Sequence, residues 1–141
     1  AWLCMYPVST NSCAQAVGGP GEDDQCEPLL EMSKRDSRIA YLVGKTSVGE
    51  LMALIERSSL VVANDSAAVH MAVGFARPMV ALYGPTDVVR VGPYARQRDV
   101  LQRVTPSDRL SHKRAENARL MERILVQDVF DAATARLAAG R

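Results

Sequence analysis

Short apolar runs alternate with helical patterns from about residue 14 onwards, as in a series of β-strand and α-helix units. The runs at residues 60–63 and 79–82 contain no charged or amide side chain, which indicates strands covered on both faces of a sheet. The pattern predicts five strands in all. They are residues 15–17 (the end of a strand), 38–43, 60–63, 79–82 and 100–104.

A helix start follows the second predicted strand. The sequence Ser-Val-Gly-Glu at residues 47–50 matches the capping box, in which the serine hydroxyl accepts the glutamate amide and the glutamate carboxylate accepts the serine amide. Leu51, Leu54 and Ile55 then recur at helical spacing, so we expect them to bury one face of this helix.

Further helices and loops separate the other strands. We expect Pro28 to limit where the first helix starts, because proline interrupts helical hydrogen bonding. The remaining predicted helices are residues 22–34, 66–73, 115–124 and 127–139, and the predicted long loops are residues 84–94 and 106–113. Strands that alternate with helices in this way predict an α/β fold with a Rossmann-like, doubly wound parallel sheet.

The composition is that of one folded domain. The chain has 141 residues, which suffices for one hydrophobic core, and 48% of them are hydrophobic. A net charge of +1 gives no reason to expect a nucleic-acid partner. Three cysteines without a C-x-x-C pair favour a reducing cytoplasm, and no apolar run is long enough to span a bilayer.

The segment at residues 61–70 carries the most specific chemistry, because a buried strand there leads through a turn of small residues into a helix. The first amides of a helix lack intrahelical partners and attract anions, so Ser66, Ala67 and Ala68 could receive a pyrophosphate. His70 lies one helical turn after Ser66 and could donate to phosphate or sugar oxygens. From these residues alone, a plain helix cap at Asp65 or Ser66 with a half-buried histidine is the favoured alternative, because N-caps are far commoner than phosphate sites.

Gly44-Lys45-Thr46 has the form of the end of a P-loop, but the required glycine five residues earlier is Ile39. A P-loop is therefore excluded. Lys45 could point toward the ligand cleft or lie in solvent. The chain also has no D-x-D motif, no paired histidines and no cysteine ligand set, so we expect no metal requirement.

Four ordered motifs resemble glycosyltransferase family 9, the ADP-heptose:lipopolysaccharide heptosyltransferases. Residues 61–72 and 77–87 are similar to the family's D-[ST]-G-x-x-H and [FY]-G-P-T-[DS] segments, each led by a hydrophobic strand. Residues 42–51 resemble the pattern L-x-G-K-T-S-L-x-E-L, and residues 18–22 resemble a glycine-rich turn. Ala67 departs from the family pattern, which usually has glycine at that position.

The resemblance implies that residues 17–141 form the C-terminal nucleotide-sugar-binding domain of a GT-B enzyme, with residues 1–16 unassigned and the N-terminal acceptor domain absent. It implies inverting, metal-independent transfer of heptose from ADP-heptose to a lipopolysaccharide core acceptor held by that absent domain. No catalytic residue is assigned, so we expect the chain alone to be inactive. The implied donor-binding residues are Lys45, Thr46, Asp65, Ser66, Ala67, Ala68, His70, Gly84, Pro85 and Thr86.

Two functional hypotheses stay open at this stage. The first is the donor domain of a cytoplasmic heptosyltransferase, with peripheral association at the inner membrane as a further expectation. The second is a degenerate Rossmann-like module that binds a nucleotide or a protein and transfers nothing. In either case we expect residues 1–16 to cover the gap that the absent part leaves, or the chain to self-associate.

Overall fold

A six-stranded sheet forms the centre of the computed structural model, which describes residues 3–5, 13–110 and 115–139. In spatial order the strands are β3-β2-β1-β4-β5-β6. Their bounds are Leu3–Met5 (β1), Ala14–Val17 (β2), Ile39–Tyr41 (β3), Val61–Asn64 (β4), Met79–Tyr83 (β5) and Val100–Gln102 (β6). The five strands predicted from the sequence are therefore confirmed, with bounds that differ by one to two residues at an end, and β1 is an additional strand.

Helices connect these strands. The α-helices are Asp23–Arg35 (α1), Val48–Arg57 (α2), Ala67–Gly74 (α3), Val88–Val91 (α4) and Val126–Ala139 (α5), and 3₁₀ segments cover Gln97–Asp99 and Ala115–Arg123. The predicted helices correspond to α1, α2, α3, the second 3₁₀ segment and α5. The capping box is confirmed, since the Ser47 amide donates to Glu50 Oε2 at 2.8 Å and the Glu50 amide donates to Ser47 Oγ at 3.3 Å.

Three predictions about helices and loops were wrong in detail. Pro28 lies inside α1 and does not limit its start; its exposed position lets water reach the carbonyl that loses a helical partner. The predicted loop at residues 84–94 contains α4, because the Asp87 carboxylate accepts the Val89 amide at 3.0 Å and caps a short helix.

The third concerns the segment predicted as an α-helix at residues 115–124, which is a 3₁₀ helix as far as Arg123. Residues three apart share a face of a 3₁₀ helix. Leu120 is buried at 5% exposure, and Arg123, three residues later, donates to Asp108 Oδ2 at 2.7 Å. Residues 111–113 of the predicted loop lie outside the described residues.

The sheet is mixed rather than purely parallel. The pairs β2–β3, β4–β5 and β5–β6 are parallel, as predicted. In contrast, β1 is antiparallel to both β2 and β4, with Cys4 opposite Ala16 on one side and Val62 on the other. Only eight residues separate Met5 from Ala14, and a parallel connection needs about a dozen or more. The short connection therefore explains the reversed direction of β1.

The core lies between β4, β5 and the helices α2 and α3. Ile55, Leu60, Val61 and Tyr83 have no exposed surface, and Leu51 and Leu54 pack against the same cluster. The predicted apolar face of α2 is thereby confirmed. Burial of each large aliphatic side chain stabilises the fold by about 1.5–3 kcal/mol. This core fixes the starts of α2 and α3 relative to the ends of β2 and β4.

A buried ion cluster attaches α5 to the sheet. The Asp99 side chain is not exposed, and its carboxylate accepts Arg96 Nε and Arg136 Nε, each at 2.5 Å. Arg136 also donates to the Arg98 carbonyl, and Arg96 donates to the Arg77 carbonyl at 3.0 Å. The end of α5 is thus bound to the segment that precedes β6.

Candidate functional site

A cleft of about 260 Å³ opens at the carboxyl ends of β2 and β4. In open α/β sheets, ligands bind beyond the carboxyl ends of the strands. Three segments form the cleft: the turn after β2, the start of α2 and the start of α3. The lining residues are Val17, Gly18, Gly19, Pro20, Thr46, Ser47, Val48, Leu51, Ser66, Ala67 and Ala68.

The start of α3 presents uncapped amides to this cleft. Ser66 occupies the N-cap position in an extended conformation, but its hydroxyl makes no capping hydrogen bond. The Val69 amide turns back to the Ser66 carbonyl at 3.1 Å, whereas Ala67 and Ala68 precede the first intrahelical bond. The Ser66 Oγ is buried without a partner among the described residues. The Ser66 hydroxyl therefore does not cap α3.

Ala67 is the first residue of α3, and its backbone is not among the described residues with positive φ. An alanine in helical conformation carries no strain at this position, in contrast to one held in the left-handed region. Ala67 is exposed and lines the cleft, so its methyl group reaches the space in front of the helix amides. The departure from glycine is thus compatible with the local backbone.

Lys45 and Thr46 are neighbours in sequence but differ in their position relative to the cleft. Thr46 lines the cleft, but Lys45 does not. The Lys45 ammonium donates to the Tyr41 carbonyl at 3.2 Å and lies 5.4 Å from the centre of the Tyr41 ring. The Tyr41 hydroxyl in turn donates to Asp23 Oδ1 at 3.1 Å, and burial together with that bond raises the pKa of Tyr41 to about 12. Tyr41 therefore holds Lys45 outside the cleft lining.

Asp65 and His70 flank the start of α3 without lining the cleft. The Asp65 amide donates to the Leu82 carbonyl at 3.0 Å, which links the turn after β4 to β5. The Asp65 side chain is exposed, and so is His70 one helical turn further on. Both side chains stand at the carboxyl edge of the sheet, beside the cleft rather than in its wall.

The loop after β5 lies apart from the cleft lining. Gln102 Nε2 donates to the carbonyls of Gly84 and Thr86, each at 2.8 Å, and so fixes this loop to β6. A side chain at Gly84 would meet the Met121 amide nitrogen at 3.3 Å, which explains a glycine there. Gly84, Pro85 and Thr86 share the sheet edge with the start of α3 but do not line the same cavity.

Sequence reasoning left the glycine-rich turn out of the site. Gly18, Gly19 and Pro20 form one wall of the cleft, and the Gly19 amide donates to Glu22 Oε2 at 2.9 Å. The apolar side chains of Val48 and Leu51 were also missed as lining residues. A run of glycines directly after a strand was the available signal, because only small residues let a ligand approach the backbone.

The described part of the chain offers neither a cluster of metal ligands nor a membrane-spanning helix. Among residues 3–5, 13–110 and 115–139, no three His, Cys, Asp or Glu side chains are grouped so as to hold a metal ion. In that same part of the chain, no helix is long and apolar enough to cross a bilayer.

The strand order and the cleft at the carboxyl edge are those of a Rossmann-like α/β domain. Residues 16–119 match the profile of Glycosyltransferase family 9 (heptosyltransferase), which is more than half of the chain. The chain therefore belongs to this family, and the predicted fold class and family are both confirmed.

Two relatives illustrate the similarity in sequence. The Lipooligosaccharide heptosyltransferase 2 of Haemophilus influenzae is 36% identical over 96 residues, which are 66% of this chain and 28% of that protein. The Lipopolysaccharide heptosyltransferase 3 of Escherichia coli is 32% identical over 80 residues, which are 56% of this chain and 24% of that protein. The chain thus spans about a quarter of the length of these relatives.

Two solved structures share the fold. A glycosyl transferase family 9 protein from Veillonella parvula superimposes with a TM-score of 0.68 at 26% identity, covering 89% of this chain and 36% of that chain. The Escherichia coli ADP-heptose lps heptosyltransferase II gives a TM-score of 0.67 at 21% identity over the same shares. Both chains extend well beyond the region matched here.

Proposed function

We propose that this chain binds a nucleotide-sugar, ADP-heptose, in the cleft at the carboxyl ends of β2 and β4. It would act as the C-terminal donor domain of an inverting heptosyltransferase of the lipopolysaccharide core pathway. The supporting observation is the combination of family membership with an uncapped helix start that faces the cleft. Helix amides in such a position favour a pyrophosphate through hydrogen bonds and through the helix dipole.

The start of α3 is the proposed pyrophosphate site. The amides of Ala67 and Ala68 would donate to phosphate oxygens, and the unpartnered Ser66 hydroxyl would donate a third hydrogen bond. Thr46 on the opposite wall offers a further hydroxyl. Val48 and Leu51 supply apolar surface for a base or sugar face. The proposal needs no metal ion, because the backbone itself offsets the phosphate charge.

The proposal gives a separate role to the predicted site residues that do not line the cleft. These are Lys45, Asp65, His70 and residues 84–86. They stand around the same edge without lining the cleft, so we assign them contacts to the part of the donor that extends beyond it. For Lys45 this requires release from the Tyr41 carbonyl, where its ammonium is bound at 3.2 Å.

The transfer reaction needs a base that this cleft does not contain. Inverting attack on the sugar requires proton removal from the acceptor, usually by a carboxylate or an imidazole. None of the residues that line the cleft carries either group. We therefore propose that an acceptor domain outside this chain supplies the base and holds the lipopolysaccharide core, and that the chain alone is inactive. Association of that assembly with the inner membrane is part of the same proposal.

A matched pair of substitutions at Ala67 tests the donor site. Ala67→Asp places a carboxylate at the helix start, where it stabilises the helix dipole but repels a pyrophosphate. Ala67→Asn has a similar size and no charge. We expect calorimetric titration with ADP to give at least tenfold weaker binding for Ala67→Asp than for Ala67→Asn, while thermal stability is equal or higher.

Adenosine serves as the ligand control, because it lacks the pyrophosphate and should not distinguish the two variants. Equal ADP affinities for Ala67→Asp and Ala67→Asn would contradict pyrophosphate binding at α3. Absence of ADP binding to the unmodified chain at millimolar concentration would contradict the donor site altogether.

The second candidate function is the degenerate module that binds a nucleotide or a protein without transfer. The observation that favours it is the lack of any basic side chain in the cleft lining. Under this alternative, ADP and ADP-heptose bind with equal affinity, because no contact to the sugar exists. Tighter binding of ADP-heptose than of ADP in competition would support the transferase domain instead.

A further inference from the structure

The centre of the sheet contains one strand that runs against both of its neighbours. β1 pairs with β2 on one side and with β4 on the other, and both pairings are antiparallel. Consequently β2 and β4 run parallel to each other across it. In the order β3-β2-β1-β4-β5-β6, this strand alone connects the ladder of β3 and β2 to that of β4, β5 and β6.

The position that β1 fills normally belongs to a parallel strand. In doubly wound sheets with this strand order, the central strand is parallel to its neighbours and a helix crosses over to the next strand. The eight residues between Met5 and Ala14 are too few for such a crossover. We call the position between β2 and β4 the β2–β4 slot. Within one copy of the chain, residues 3–5 therefore fit this slot only in the antiparallel direction.

The strand in the slot is short, and each strand that flanks it has a second neighbour in the sheet. β1 has three residues, whereas β2 retains β3 and β4 retains β5 as a second neighbour. If β1 leaves, the amides and carbonyls of Gln15 and Val17 on β2 and of Val62 on β4 lose their partners at the middle of the sheet. Such edges are templates for a strand from another chain.

We propose that the β2–β4 slot accepts β1 from a second copy, so that two copies exchange this strand. The second copy fits because its residues 3–5 can form the same register, with Cys4 between Ala16 and Val62. Exchange of an identical element keeps every native backbone bond, which makes it a low-cost route to a dimer. The connecting eight residues, when extended, span roughly 26–29 Å, enough to reach a neighbouring copy.

The test uses the full chain and two substitutions of Cys4 in reducing buffer. Cys4→Pro removes the amide at the centre of β1 and excludes the segment from a ladder, whereas Cys4→Val keeps the amide and favours a strand. Light scattering coupled to size exclusion should give a dimer fraction that rises with concentration for the unmodified chain and for Cys4→Val. Cys4→Pro should be monomeric over the same range.

A second measurement does not depend on the folding of Cys4→Pro. A fluorescent peptide of residues 1–12 is added to the unmodified chain, and its anisotropy and the dimer fraction are recorded. We expect the peptide to bind, to lower the dimer fraction and to slow hydrogen exchange at Val17 and Val62, whose amides face the slot. A dimer unaffected by the peptide and by Cys4→Pro, or a monomer at every concentration that leaves the peptide unbound, would overturn strand exchange.

Discussion

Two tyrosines illustrate how the surroundings of a single hydroxyl decide its contribution to stability. The Tyr83 side chain is fully buried in the core, and its hydroxyl has no partner among the described residues. The Tyr41 hydroxyl donates to Asp23 at 3.1 Å. A buried hydroxyl without a partner costs free energy, so Tyr83→Phe should raise the free energy of unfolding by about 1 kcal/mol in urea denaturation. Tyr41→Phe, the control, should give no gain.

The buried hydroxyl of Tyr83 also leads to a prediction for stability at alkaline pH. Burial, and to a lesser extent the charge of Asp65, raises the pKa of Tyr83 from 10.0 to about 12. Between these values the unfolded chain releases the proton while the folded chain keeps it, so stability falls as pH rises. Tyr83→Phe should show a shallower loss of stability from pH 10 to 12 than the unmodified chain. An identical slope would contradict the burial of this hydroxyl.

At the scale of single residues, the small residues predicted at the start of α3 line the cleft, whereas Lys45, Asp65 and His70 do not. Ser66, Ala67 and Ala68 line the cleft because their backbone is fixed by the strand and helix that the pattern predicts. Motif and spacing led us to include Lys45 and His70 among the predicted donor-binding residues. The position of a long or exposed side chain, however, depends on the residues around it in the folded protein. For Lys45 that neighbour is Tyr41, whose carbonyl is 3.2 Å from the ammonium.

Among the elements, α5 depends on charges that no local pattern reveals. Asp99 is buried between Arg96 and Arg136, which are far apart in sequence from each other. Asp99→Asn should lower the free energy of unfolding by about 2 kcal/mol, below the 3–5 kcal/mol typical of fully buried pairs, because both guanidinium groups are partly in water. Urea denaturation measures the effect. Asp131→Asn is the control, since Asp131 is exposed and bonded only within α5; an equal loss there would contradict the assignment.

Elements with strong local signals were predictable, and those with tertiary causes were not. The capping box and apolar face of α2 are local, and the structure confirms both. The 3₁₀ segment Ala115–Arg123 makes tertiary contacts, such as the bond from Arg123 to Asp108, which helical propensity does not record. Likewise α4 begins because Asp87 caps it, a signal too short to separate from a loop.

For the whole molecule, the alternation of strands and helices predicted the fold class, since each βα unit places its own apolar faces against the sheet. The antiparallel β1 could not be predicted this way. Its direction follows from the length of the connection to β2 and from the position left between β2 and β4, which is known only once the strand order is known. The cleft could not be predicted for the same reason, because it is formed by three segments that are distant in sequence.

The central claim is that the cleft at the start of α3 binds the pyrophosphate of a nucleotide-sugar. Titration of the isotopically labelled full chain with ADP, followed by amide nitrogen–proton correlation spectra, tests it most directly. We expect the largest shifts at the amides of Ala67 and Ala68 and smaller ones at Gly18 and Gly19, with adenosine leaving Ala67 and Ala68 unchanged. Amides of Ala67 and Ala68 that do not shift at millimolar ADP would contradict it.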